Sequence, residues 1–228
     1  MNRRRFFSCV ALIGGTAVAC GHIKQPLLNG HPLPNRQRGG SKARELKADV
    51  VIIGGGMGVC AAALACCRNG LSVLMTEETD WIGGQLSQQG VPPDEHRWIE
   101  THGAPQSYHD YRNRVRDYYR HNYPMSDDAR VRVNLNPGNG TVSRLCHEPR
   151  VAVAVLHDML SPYLSNGKLQ ILTDYKAKNA YVEGDRVLAV EVQHRYTGNL
   201  TVLTGDSFVD ATECGDLLPL TGTEYITG

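Results

Sequence analysis

The chain has 228 residues, with 24 Lys plus Arg against 23 Asp plus Glu and a formal net charge of +1. So even a balance excludes the strongly single-signed surface through which proteins bind nucleic acid or acidic polymers. Hydrophobic residues make up 41% of the chain, ordinary for a globular protein, and the length suffices for one substantial domain.

The first twenty residues read apart from the fold. Arg3-Arg4-Arg5-Phe6-Phe7 is a cationic segment, and residues 8–19 are an apolar stretch too short to span a bilayer comfortably. Together they predict an export signal over residues 1–20. The run Arg3 to Phe7 also resembles the twin-arginine consensus, a route that exports folded proteins. Small residues before Cys20 resemble a bacterial lipoprotein cleavage site, with Ala17 departing from the usual Leu. Plain cleavage near Ala19 is the alternative. The expected location is the periplasm or cell envelope, with membrane contact only through a lipid on Cys20. Residues 21–47 are rich in Pro, Gly, Asn, Arg and Gln without a period, and are expected to be a flexible linker.

The folded unit is expected over residues 48–228. Residues 48–53 form a continuous apolar strand of the doubly buried type. A helix dense in Ala and Cys follows over 57–69, capped by Gly70, and a second apolar strand spans 71–76. These three pieces make a β-α-β unit. A helical insertion is expected over about 90–147. Within it, residues 106–121 carry Tyr108, Tyr111, Val115 and Tyr118 or Tyr119 at helical steps, with Arg112 on the solvated face. Residues 134–140 are a turn cluster. A second long helix is expected over 148–164, with Pro149 in its first turn, then a strand over 169–172. Residues 178–182, 186–196 and 200–204 alternate apolar and polar side chains between Gly-containing turns, which predicts an antiparallel meander. A separate short strand is expected over 207–210. Cys60, Cys66 and Cys67 read as core thiols, Cys146 and Cys214 stand alone, with Cys214 expected to pack, and no spacing suits a metal.

The chemistry is concentrated where the first strand ends, at Gly54-Gly55-Gly56-Met57-Gly58. Glycines let a backbone approach a pyrophosphate, and the helix that follows offers free N–H groups and a positive dipole end. The third glycine position of the fingerprint is Val59, with Gly58 and Ala61-Ala62-Ala63 as small neighbours. Glu77 ends the second strand, 23 residues past Gly54, where a carboxylate accepts hydrogen bonds from a ribose. The pattern predicts a dinucleotide.

Gly83-Gly84-Gln85 follows six residues after Glu77, and Ser207 to Glu213 reads Ser-Phe-Val-Asp-Ala-Thr-Glu. The first resembles the Gly-Gly pair of glutathione-reductase-like two-domain flavoproteins. The second resembles their Ala-Thr-Gly motif, with Glu213 in place of the glycine. On these motifs residues 48–228 resemble the FAD-dependent oxidoreductase family. The resemblance implies an α/β fold: a Rossmann-like FAD-binding three-layer architecture with a parallel sheet and an antiparallel β-meander. It implies FAD as cofactor and hydride transfer between a small-molecule substrate and flavin, with an unidentified electron acceptor. It places Gly54, Gly55, Gly56, Met57 and Gly58 at the diphosphate and Glu77 at the ribose. Gly83, Gly84 and Gln85 would line the diphosphate and ribityl path, Ser87 to Gly90 would approach the flavin, and Ala177 would meet the adenine. His96 and His147 are candidate bases, and Arg97, Arg112 and Arg150 candidate clamps for an anionic substrate. Proteins of this class close the flavin domain with a later segment, so the chain is expected to be the N-terminal portion of a longer protein that binds FAD poorly by itself. The alternatives are an NAD-linked dehydrogenase and a membrane-tethered nucleotide-binding or inactive truncated remnant.

Overall fold

In a computed structural model of the chain, the described residues are 44–227. The export-signal, twin-arginine and Cys20 lipid readings, and residues 21–43 of the expected linker, lie outside them. Among the described residues, six strands form one sheet in the order β3-β2-β1-β6-β5-β4. β1 is Arg44–Ile53, β2 Val73–Thr76, β3 Leu169–Leu172, β4 Tyr175–Glu183, β5 Arg186–His194 and β6 Leu200–Asp210. β3, β2, β1 and β6 run parallel, and β6, β5 and β4 pair antiparallel. The helices are α1 (Met57–Arg68), α2 (Gln106–Asn122), α3 (Asp127–Arg130), α4 (Pro149–Ser165) and α5 (Leu217–Thr221).

Two expectations about the strands are corrected. The stretches 200–204 and 207–210 are one strand. Gly205 and Asp206 read as a break, yet Gly205 pairs with Ala48 across β1. A Cβ on Gly205 would come within 2.9 Å of the Val51 side chain, so its small size seats the strand rather than ending it. For the same reason β1 begins at Arg44 instead of Ala48. The unbroken β6 offers register partners from Thr201 onward, and the Thr204 hydroxyl donates to the Leu46 carbonyl at 3.3 Å.

Both faces of the parallel strands are buried, as their continuous apolar sequence requires. Val50, Ile52, Val73 and Met75 face a core shared with α1, α2 and α4. Val51, Ile53, Leu74 and Phe208 face the other side, packed with Val190, Val192 and Leu203 of the meander and Leu217 of α5. Cys60 and Cys67 are buried in the helix-side core, the structural role expected of them. Burial pushes the Cys60 thiol up to about 12, which keeps it protonated and inert.

α2 departs from its expected solvated face. Arg112 is 1% exposed and Arg116 3%. Arg112 ion-pairs with Glu95 and Glu100, and Arg116 meets Glu100 at 2.7 Å. Tyr108 also donates to Glu95 at 2.7 Å. The irregular segment before α2 covers this face and supplies the counter-charges, which a helical wheel does not reveal.

Candidate nucleotide-binding cleft

β1, β2 and β6 deliver their carboxyl ends, Ile53, Thr76 and Asp210, to one edge of the sheet. The chain leaves β1 toward β2 on one side, while β6 flanks β1 on the other. A crevice at such a divergence is the standard ligand position in open α/β sheets. Here it is a cleft of about 250 Å³, lined by Gly54, Gly55, Gly56, Glu77, Ala177 and Thr212 among others.

The glycine loop is built by close approach. Gly54 has φ of +121°, and a Cβ there would stand 2.6 Å from the Ala211 carbonyl carbon. Ala211 N donates to the Ile53 carbonyl at 2.8 Å, which fixes that contact. A Cβ on Gly55 would stand 2.6 Å from Glu77 Cβ. Gly56 is the N-cap of α1 and offers no side-chain cap. The first turn carries no acidic residue, and the helix bonds begin with Cys60 N donating to the Gly56 carbonyl at 3.1 Å. The N–H groups ahead of Cys60 have no partner within the helix, and the macrodipole makes this end positive. A Cβ on Gly58 would meet nothing within 4 Å. The arrangement fits an anionic group with free donors at close range.

Gly83 and Gly84 adopt φ of +113° and +53° and fold back onto this loop. Gly83 N donates to the Gly55 carbonyl at 2.8 Å, and Gly56 and Gly83 form a parallel bridge. A Cβ on Gly84 would stand 3.0 Å from Gly56 Cα. The Gly-Gly pair therefore braces the cradle from beside. Gln85 turns toward the 91–94 segment, its amide 3.4 Å from the Pro92 carbonyl and from Asp94. Ser87 is buried and donates to the Ile82 carbonyl at 2.7 Å, so it holds this turn together. Met57 packs partly against the helix-side core.

Glu77 is 7% exposed. Its Oε1 accepts from Thr79 N at 2.8 Å and from the Thr79 hydroxyl at 2.9 Å. Oε2 lies over Gly55. One oxygen is thus anchored while the other faces the glycine loop. Burial raises the Glu77 carboxyl above the ordinary range, aided by Glu78 and Glu213 and opposed by the Thr79 donors.

The opposite wall comes from the turn after β6, and sequence reasoning did not identify what shapes it. Asp210 Oδ1 accepts from Thr212 N at 3.1 Å and its hydroxyl at 2.8 Å, and Oδ2 accepts from Leu217 N at 2.9 Å. The Thr212 hydroxyl accepts from Asp216 N at 2.7 Å. These bonds set the turn that carries Ala211 against Gly54. Asp-x-Thr at a strand end was the available signal, because short oxygen side chains bond the backbone two residues on. Lys176 enters beside Ala177 and reaches Glu78 at 3.3 Å and Asp216 at 3.7 Å. Cys214, expected to pack in the core or near the flavin, is exposed and lines the cleft.

The candidate bases do not line the cleft. His96 is exposed, bonded to Gly103 and Trp98 within its own loop. His147 is half-buried. Its Nδ1 meets the Glu148 carbonyl at 3.1 Å, and Nε2 meets the Tyr111 hydroxyl at 3.2 Å. Burial lowers its affinity for a proton. A carbonyl accepts at Nδ1 and a tyrosine hydroxyl meets Nε2, a structural pairing. Arg97 stacks on Trp98, its guanidinium carbon 4.1 Å from the ring centre, and Arg150 pairs with Glu148. A wider groove of about 730 Å³ lies between α2 and α4, but no glycine of the cradle borders it.

A family model described as FAD dependent oxidoreductase matches residues 49–228. Over 70 residues the chain is 44% identical to squalene epoxidase erg1 of Aspergillus fumigatus, which covers 28% of this chain and 15% of that protein. Among solved structures it is similar to L-proline dehydrogenase from P. horikoshii, at 16% identity and TM-score 0.40, covering 76% of this chain and 24% of that one. It is also similar to Mycobacterium smegmatis Sdh1, at 15% identity and TM-score 0.48, covering 74% of this chain and 34% of that one. The chain therefore spans about a third or less of the length of these relatives.

Proposed function

The chain belongs to the FAD dependent oxidoreductase family, and from that premise we propose that this cleft holds the adenosine diphosphate half of FAD in an enzyme that oxidises or reduces a small molecule. The observation that carries the reading is the uncapped N-terminus of α1 beneath Gly54, Gly55 and Gly56, with Glu77 at the end of the neighbouring strand. The α1 N–H groups would receive the diphosphate. Glu77 Oε2 would accept from a ribose hydroxyl while Thr79 holds Oε1 in place. A carboxylate at this point favours an unphosphorylated ribose, because a 2′-phosphate would bring like charges together. Ala177 and Tyr175 border the far end, where adenine would lie. Gln88 also lines the cleft, and the flavin end would lie toward it.

Bound FAD would supply the two-electron carrier, taking a hydride from substrate and passing electrons to an acceptor such as oxygen or a quinone. The protein's own part is to bind, orient and keep the adenosine half from water. The Arg-rich leader supports export to the periplasm or cell envelope by the twin-arginine route, with Cys20 as an attachment point for lipid.

The test is direct titration of the full chain with FAD, followed by flavin fluorescence and visible absorption, beside a parallel titration with NAD. Weak but saturable binding of FAD, with weaker or no binding of NAD, is the expected result. Binding of NAD without FAD would overturn the proposal.

A further inference from the structure

Glu213 stands where the resembling motif has a glycine, and its side chain points back to the cradle. Its Oε1 lies 3.9 Å from the position a Gly56 Cβ would take and 3.5 Å from that of Gly84. The Gly84 position is also 3.9 Å from the Met57 amide nitrogen. One carboxylate oxygen therefore borders both glycine turns. Oε1 accepts from Gln89 Nε2 at 3.4 Å. Glu213 is exposed to solvent.

Its charge adds to an acidic setting. Glu77, Glu78, Glu213 and Asp216 line the cleft, and among the described residues Lys176 is the one lining cation. Lys176 is already shared between Glu78 and Asp216. Glu213 is felt across the cleft, since it helps to raise the Glu77 carboxyl. A diphosphate seated against Gly56 and Gly84 would meet Glu213 Oε1 there, and it carries the same sign.

We propose that Glu213 tunes the affinity of the cleft for FAD: its carboxylate, beside Gly56 and Gly84, repels the diphosphate and must turn outward before the cofactor seats. The inference rests on the assignment of the cleft to FAD. It makes Glu213 an internal anion that weakens diphosphate binding and leaves recognition of the nucleoside untouched.

The experiment compares the full chain with Glu213→Gln, which keeps the shape and removes the charge. Glu183→Gln, at the exposed end of β4, controls for net charge. Each protein is titrated with FAD, with ADP and with adenosine. Glu213→Gln is expected to bind FAD and ADP about three- to tenfold more tightly than the unaltered chain, the size of a partly screened charge at the rim of a cleft. Adenosine affinity and the Glu183→Gln control stay unchanged, and the gain shrinks at about 1 M salt, where the screening length falls to about 3 Å. Equal or weaker FAD binding by Glu213→Gln overturns the inference, and so does an equal gain for adenosine. Failure of both proteins to bind FAD at all removes the cofactor assignment itself and the inference with it.

Discussion

Replacing Arg112 with Met tests whether the segment before α2 is held by a buried charge cluster. Arg112 touches Glu95 and Glu100, and all three side chains are largely shielded from water. Burial opposes the guanidinium charge, but Glu95 and Glu100 more than compensate and hold its proton more firmly than usual. Methionine fills much of the volume and removes the cation. Glu100 keeps Arg116 at 2.7 Å, so the orphaned partner is Glu95. Glu95 retains the Tyr108 hydroxyl on Oε1, while its Oε2 is buried without a partner. Breaking one side of a buried pair costs about 3–5 kcal/mol. The remaining Tyr108 bond places the expected loss near the lower end, about 3 kcal/mol, which for a domain of this size lowers the melting temperature by roughly 6–12 °C. Urea unfolding followed by circular dichroism supplies the free energy, and a thermal scan the shift. The double variant Glu95→Gln/Arg112→Met should recover about 1 kcal/mol or more, because no bare carboxylate stays behind. A loss of less than about 1 kcal/mol for Arg112→Met would show that water reaches Glu95 and that the cluster is not closed.

Three further outcomes follow from the cleft. The Glu77 carboxyl is raised from the ordinary value of 4.5, so folding favours its protonated form. Its contribution to stability is fully present below 4.5 and is lost as pH rises through the raised value; unfolding free energies of the unaltered chain minus those of Glu77→Gln should fall across that window. A flat difference would mean that Glu77 is solvated. Gly54→Ala puts a methyl group against the Ala211 carbonyl at a φ of +121°. Stability should drop by about 1–3 kcal/mol, and a neutral result in chemical denaturation would contradict the contact. Cys214 is exposed in the cleft, whereas Cys60 and Cys67 are buried. Peptide mapping after brief treatment with a maleimide should find Cys214 modified and Cys60 unmodified, and saturating FAD should slow labelling of Cys214.

The strand, glycine turn and helix at residues 48–69 were legible because their causes lie within a few residues of one another. Apolar continuity, absence of Cβ atoms and small helix residues are local properties. Glu77 was legible for the same reason, and its partner Thr79 is only two residues away. The burial of Arg112 was not, because Glu95 and Glu100 arrive from an irregular segment that carries no periodicity. The unity of β6 was hidden by Gly205-Asp206, a pair that ends strands in most settings. Here the neighbour is β1, and the absent side chain is what allows Val51 to pack. Glu213 was legible only as a departure from a motif; that its carboxylate returns to Gly56 and Gly84 is a property of the turn built by Asp210 and Thr212.

That turn shows why the cleft and the meander stand or fall together. β6 pairs with β1 along nearly its whole length and with β5 over residues 200–204. Its far end carries Asp210, whose carboxylate fixes Thr212 and Leu217. Leu217 is fully buried in the core that holds Val190, Val192 and Leu203. A defect in the meander thus reaches the cradle by two routes, through the register of β6 and through the seat of Leu217. Both lead to Ala211, which closes against Gly54 with no space for a methyl group. The glycine loop is therefore not a free-standing motif: its shape is imposed by a residue 157 positions away in the chain. Asp210→Asn tests this coupling, because an amide NH2 in place of Oδ2 sets a donor against the Leu217 N–H, or forces the side chain to flip. Loss of FAD affinity with β-sheet circular dichroism retained is the expected signature, and unchanged affinity would show that β6 alone places Ala211.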